Sequence, residues 1–323
     1  MSGDWSVVRD YLFALRNRGS RFGIERMERF AEALGQPQWR YPVLHVAGTN
    51  GKGSVCAMLD ATFRAAGHRV GLCTSPHLVR VGERVQIDRE VLPEAAIMAA
   101  VERLRPVAEA LAAEDADLHP TFFEFLTAIA FCEFERRAVD LAVIEVGLGG
   151  RLDSTNVVRP EVAVITSIGL DHQQILGDTH AAIAGEKGGI IKPGVPVVLG
   201  VLPAEAEDVL RGLAAERGCP VHSVRERFGL PGQGRALAAD DYAKLPTTRL
   251  PGRYQRLNAA TAWLVSEVAA ARPVEAFAVT DADRRDGLAA VAWPGRWQEI
   301  SLANGGRLIL DSTHNEEGIR ELE

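Results

Sequence analysis

Apolar residues in this chain switch between two spacings, and the switches mark out its elements. At 5–15 and 24–34 they recur every three or four positions, which predicts two short amphipathic helices around a glycine-containing break at 17–23. Residues 43–47 form an apolar run of strand length. After a glycine-rich turn, Val55, Met58, Leu59, Thr62, Phe63 and Ala66 return to helical spacing. A second short strand is expected at 69–74, a small strand or hairpin at 81–87, and a helix at 93–111 with Pro93 near its start, where the missing N–H is harmless. A long apolar helix at 121–137 then leads into buried strands at 140–146 and 162–168. A helix carrying Glu186 and Lys187 ends near Gly188 and Gly189, followed by a strand at 195–201 and a helix at 205–216. The Gly-, Pro- and polar-rich stretch 228–251 predicts a loop or small antiparallel excursion before a helix at 258–271. Two short strands, 297–302 and 307–310, flank the turn Asn304-Gly305-Gly306. Strands alternating with helices predict an α/β fold, a mostly parallel sheet flanked by helices.

Composition narrows the class. A chain of 323 residues with 47% hydrophobic positions can form two domains or one large α/β domain. The net charge of -7, without a long basic run, argues against nucleic acid as a partner. The four cysteines, Cys56, Cys73, Cys132 and Cys219, have neither zinc-ligand nor disulfide-framework spacing and read as buried apolar residues. No apolar run has the length of a membrane span and 1–18 lacks a signal-type core, so no membrane partner and a cytoplasmic location are expected.

Candidate chemistry begins where the first strand meets Gly48-Thr49-Asn50-Gly51-Lys52-Gly53-Ser54. Glycines let backbone N–H groups fold around an anion, Lys52 adds a point charge, and Ser54 can ligate magnesium while opening the next helix. The plainer alternative is a glycine-rich turn between a core strand and helix. Two more polar loops, 145–156 and 169–172, follow apolar strands, where ligands of open α/β sheets bind. Glu145 at a strand end would be costly unless paired or bound to a cation. Considered alone, His172 fits a capping histidine better than a magnesium ligand, Lys187 a solvated helix lysine and Arg296 a surface group, while a turn residue is the plainer alternative for Ser75 before Pro76.

Taken together, the glycine loop, Thr74-Ser75-Pro76-His77-Leu78, the 145–156 loop, Gly169-Leu170-Asp171-His172 and Glu186-Lys187 resemble the folylpolyglutamate synthase and dihydrofolate synthase family. That family belongs to the ATP-dependent Mur ligase type, and the resemblance spans about 23–315. It implies a P-loop-type central domain at 1–296 and, at 297–323, the start of a small C-terminal α/β domain. The implied reaction activates a carboxylate with ATP and joins it to L-glutamate through an acyl phosphate, with dihydropteroate or a reduced folate as acceptor. The protein is expected to be a monomer.

The resemblance also implies roles. Asn50, Gly51, Lys52, Gly53 and Ser54 would hold the ATP phosphates, with Gln255, Asn258, Arg296, Asp311 and His314 completing the nucleotide site. Two Mg2+ ions would be held by Ser54, Ser75, Glu145, His172 and a carbamylated Lys187. Lys52, Lys187, His172 and Arg296 would serve the chemistry. The pterin-bearing substrate would meet Arg21, Phe22, Gly23, Ile24, Thr121, Phe122, Phe123, Glu124, Leu152, Asp153 and Ser154. Because the family's C-terminal domain would only be starting at 323, the chain alone is expected to turn over poorly. A Mur-type ligase acting on a cell-wall nucleotide precursor and a non-catalytic nucleotide-binding remnant are the competing readings.

Overall fold

A computed structural model describes residues 4–18, 23–233 and 235–320. Ten strands are present among them: β1 Val43–Ala47, β2 Val70–Cys73, β3 Val85–Ile87, β4 Glu90–Val91, β5 Leu141–Glu145, β6 Val162–Ile165, β7 Val197–Leu199, β8 Val221–Ser223, β9 Gln298–Ser301 and β10 Arg307–Leu310. The first eight form one sheet in the order β4-β3-β2-β5-β1-β6-β7-β8, and β9 and β10 form a separate antiparallel pair. From β2 to β8 all pairings within the large sheet are parallel; β3 and β4 extend its β2 edge in antiparallel fashion. Every residue of β1, β5 and β6 is buried, as strands covered on both faces require.

Alternation along β1 divides the core. Val43 packs with helices Glu25–Ala33, Glu94–Glu114 and Phe122–Arg136, whereas Leu44 and Val46 pack with helices Lys52–Ala65, Arg253–Ala270 and Asp281–Ala290. Helices His180–Lys187 and Ala204–Glu216 cover the end of the sheet near β6 and β7. Among the described residues no helix is long and apolar enough to cross a membrane. Cys56, Cys73 and Cys219 are buried and Cys132 partly so, all as free thiols.

The expected α/β sheet is present, and the departures from expectation are local. At 81–87 only the second half is a strand. The Glu83 carboxylate accepts the backbone N–H groups of Leu78, Val79 and Arg80 at 2.7, 3.0 and 2.7 Å, curling 78–84 into a turn before β3. β6 stops at Ile165, short of 168, because 166–169 turn away to bond the glycine loop. The helix expected from 258 begins at Arg253, directly after Gly252 at φ +105. Within 228–251 the described residues form the helix Ala239–Ala243 and no strand. Helix Asp281–Ala290 was not anticipated, although Thr280 and Asp283 cap each other there, a signature readable in sequence.

Candidate active site

Three adjacent strand ends build the site. β1 runs into the glycine loop, β5 ends on Glu145, and β6 leads into 166–172, all at the carboxyl edge where the strand order reverses around β1. The loop is stitched to the β6 end. The Thr49 N–H donates to the Ser167 carbonyl at 2.9 Å and the Asn50 N–H to Ser167 Oγ at 2.8 Å. The Thr166 and Ser167 hydroxyls donate to the Asn50 carbonyl at 2.7 and 3.0 Å. Gly51 has φ +84, and a Cβ there would lie 2.3 Å from Asn258 Oδ1, so this turn accepts glycine alone. The N-terminus of helix Lys52–Ala65 therefore opens toward the loop with its first N–H groups available to an anion.

A cleft of about 160 Å³ gathers Asn50, Gly51, Lys52, Gly53, Ser75, Glu145, His172, Lys187, Arg296 and His314, all anticipated from the sequence, together with Asp171. Lys52 Nζ donates to the carbonyls of Gly48 and Thr49 at 2.9 and 3.0 Å. Lys187 Nζ donates to the same Gly48 carbonyl at 2.9 Å, and its side chain is buried. Burial first, and the neighbouring Lys52 charge second, lower the Lys187 pKa to about 7, with Asp171 and Asp153 acting the other way. Glu145 is buried at the end of β5, and its Oε2 accepts the Ser75 N–H at 2.9 Å. Burial raises its pKa, opposed by Lys52, the Ser75 N–H, Arg296 and Arg84.

Other expected residues lie behind this wall. Ser54 is buried, and its Oγ accepts from Gln255 Nε2 at 3.2 Å, while Asn258 Nδ2 donates to Gln255 Oε1 at 3.0 Å. These three form a polar chain beneath the loop, so the Ser54 hydroxyl is directed to the helix Arg253–Ala270 and not into the cleft. Asp311 is used within its own turn, accepting the Trp297 N–H at 2.8 Å and the Thr313 N–H and hydroxyl at 2.9 and 2.5 Å. Arg296 bonds Ser312 Oγ and lies 3.9 Å from Asp311 Oδ1. His172 is exposed, in the left-handed region at φ +50, ahead of the single-turn helix Gln173–Leu176.

A second cleft, of about 580 Å³, is lined by Gly23, Thr121, Phe122, Phe123, Glu124, Leu152, Asp153 and Ser154 from the anticipated substrate set. Ile24 instead packs against the hydrophobic core, and Arg21 and Phe22 lie outside the described residues. Glu124 is occupied by the helix cap with Thr121 and by Arg26, whose Nε is 3.1 Å away. Asp153 is held firmly. Its Oδ2 accepts the Leu148 N–H at 2.9 Å, and its Oδ1 accepts the Thr155 N–H and hydroxyl at 2.9 and 2.5 Å. Because the Thr155 hydroxyl hydrogen is committed to Asp153, the fully buried His45 donates to Thr155 Oγ1 from Nε2, at 2.9 Å. Burial lowers the His45 pKa to about 3, so the ring is neutral.

The clefts meet: Ser75, Pro76, Gly147 and Leu148 line both. Several contributors were not anticipated as site residues, four of them with charged or amide side chains. Arg16 and Arg84 line the second cleft, Asp171 lines the first, and Asn315 ties Asp171 to the loop. Asn315 and Asn50 exchange amide hydrogen bonds at 2.9 and 3.2 Å, and Asn315 Nδ2 also donates to Asp171 Oδ2 at 3.0 Å. No periodicity marks Arg84 as part of the same wall as Phe122, far along the chain; its one local cue was its place after the Ser75 turn. Among the described residues no three His, Cys, Asp or Glu side chains converge as a metal cage. Magnesium commonly takes one or two carboxylates and receives its other oxygens from phosphates and water, a pattern that Glu145 beside an anion loop fits.

A family model described as the Mur ligase middle domain matches residues 46–265. The folylpolyglutamate synthase of Lacticaseibacillus casei is 41% identical over 298 residues, covering 90% of this chain and 69% of that protein. The dihydrofolate synthase/folylpolyglutamate synthase of Bacillus subtilis is 38% identical over 325 residues, covering 98% and 74%. Among solved structures, an FPGS-AMPPCP-folate complex superposes with a TM-score of 0.86 at 36% identity, covering 99% of this chain and 79% of that one.

Proposed function

The chain belongs to the folylpolyglutamate synthase and dihydrofolate synthase family of Mur-type ligases, and on that premise we propose that it uses ATP to join L-glutamate to dihydropteroate or a reduced folate. In the first step a carboxylate oxygen of the pteroyl substrate takes the γ-phosphoryl group and ADP leaves. In the second the glutamate amine attacks the acyl carbon, loses a proton, and phosphate departs with one of the substrate's original carboxylate oxygens. The observation that carries this reading is the shared wall at Ser75, Pro76, Gly147 and Leu148. A flat heterocycle against Phe123, its polar edge on Asp153, would extend its acid end past that wall toward Lys52.

Each neighbouring group has work to do in such a transfer, which needs positioning and positive charge but no protein nucleophile. Lys52 would leave the Gly48 and Thr49 carbonyls to meet phosphate oxygens, with Arg296 lining the same cleft. Magnesium supplies charge neutralisation when bound. Glu145, whose second oxygen has no hydrogen-bond partner among the described residues, would hold one ion with Ser75, and His172 would lie near the other. Lys187, with a pKa near 7, is in good part a neutral amine at neutral pH. That amine could attack CO2 and release a proton, becoming a carbamate whose oxygens can hold a cation. Ser54 would join a metal only by turning its hydroxyl away from Gln255.

The test combines binding with turnover. Mg-ATP, and then dihydropteroate or a folate, should each raise the melting temperature by mass action, and ADP release should require both the pteroyl acid and glutamate. No thermal shift with either ligand would remove the proposal.

A further inference from the structure

Positive charge is divided unevenly between the two clefts. Lys52, Lys187 and Arg296 line the loop cleft, where phosphates and the reacting carboxylate belong on the reading above. Arg16 and Arg84 line the aromatic cleft alone. Arg84 is only 9% exposed and has no ion-pair partner among the described residues. Its Nε donates to His77 Nδ1 at 2.8 Å, and its guanidinium carbon lies 5.5 Å from the Phe122 ring centre. The Arg16 guanidinium lies 4.9 Å from the same ring centre. Stacking engages the guanidinium faces, and among the described residues neither Nη group of Arg84, a residue that lines the cleft, makes a hydrogen bond.

Glu145 acts on Arg84 only through space and not as an ion pair, and a buried guanidinium with no carboxylate in contact is costly, a cost that a ligand anion reduces. The pteroyl body provides none there, because its own acid must pass the shared wall to be activated. A second carboxylate exists only when the substrate already carries glutamate. We infer that Arg84, flanked by Arg16, binds the non-reacting α-carboxylate of a glutamyl residue already attached to the pteroyl substrate. The aromatic cleft is thus built for chain extension of folates more than for the first glutamylation of a pteroate. Arg84 is a specificity-determining residue; Asp153 and Phe123 recognise what both substrates share. This inference rests on the pteroyl-ligase reading.

The test is equilibrium titration of the whole chain, without ATP, by pteroate, folate and free L-glutamate, in wild type, Arg84→Met, Arg84→Lys and Arg16→Met. The expected result is a loss of folate affinity of about 10- to 100-fold in Arg84→Met, the size of a lost charge-assisted contact, with pteroate changed less than about threefold. Arg84→Lys should recover part of the loss. Arg16→Met, at an exposed position, should shift folate in the same direction by a smaller factor and guards against misfolding at Arg84. Equal losses for pteroate and folate would overturn the inference by moving Arg84 to the reacting acid, as would no loss for either. A loss confined to free glutamate would also overturn it, assigning the charge to the incoming amino acid. Wild type that binds neither pteroyl ligand would instead refute the ligase reading itself.

Discussion

Lys52 and Lys187, from different helices, each donate a hydrogen bond of 2.9 Å to the carbonyl of Gly48. Two ammonium groups on one oxygen repel each other, and only one is deeply buried. The cost therefore falls on Lys187, whose pKa is lowered to about 7 by burial and then by Lys52.

This makes Lys187 a stability probe. Its unfolded pKa is about 10.4, so between about pH 7 and that value the unfolded chain binds the extra proton. Stability contributed at this site is missing below pH 7 and is gained as pH rises, by up to about 1.4 kcal/mol per unit. Urea unfolding at pH 7, 8 and 9 should show the wild type gaining on Lys187→Met across the series. Parallel curves would contradict the assigned pKa.

Lys52→Met should act at both places. Removing a cation from the phosphate position should reduce glutamate-dependent ADP release by about 10²- to 10³-fold. It should also raise the pKa of Lys187, since its second-largest depressing cause is gone. A pH titration followed by NMR of labelled lysine Nζ would detect the shift, and an unchanged or lower Lys187 value would count against the coupling.

Gly147 is on the wall between the clefts, and a Cβ built there would lie 2.5 Å from Phe123 Cζ and 3.1 Å from Asp153 Oδ2. Gly147→Ala should displace the Phe123 ring, destabilise the chain by about 1–3 kcal/mol, and weaken pteroyl binding while the Mg-ATP thermal shift persists. Equal weakening of both ligands would place the damage elsewhere.

Asn315 holds the segment after β10 to the glycine loop through Asn50 and Asp171. Asn315→Ala breaks these bonds, each worth about 0.5–1.5 kcal/mol. Backbone amides at 298–320 should exchange faster in deuterium, and the ATP KM should rise with a smaller change in kcat. Unaltered exchange would mean that the segment is held by other contacts.

Legibility in the sequence tracked how local the signal was. The buried strands β1, β5 and β6 and the loop after β1 read directly, because continuous apolar runs and a glycine-lysine turn are short-range patterns. β8, three residues long, has no such run, and the turn at 81–84 depends on where the Glu83 carboxylate points. In the site, Lys52, Glu145, His172, Lys187 and Arg296 converge as anticipated. Ser54 and Asp311 do not reach the cleft, since their side chains are taken by Gln255 and by the 311–313 turn. Hydrogen-bond competition of that kind is decided by packing and leaves no trace in spacing. Arg84 escaped notice for the same reason: an arginine is ordinary until its burial and lack of a partner are known.

The most direct measurement follows the oxygen atoms. A pteroyl substrate labelled with 18O in its reacting carboxyl group should, upon ATP- and glutamate-dependent turnover, deliver one 18O to the released phosphate. Phosphate free of label, with ADP and amide formed, would contradict transfer of the γ-phosphoryl group across the Ser75–Gly147 wall onto the substrate acid.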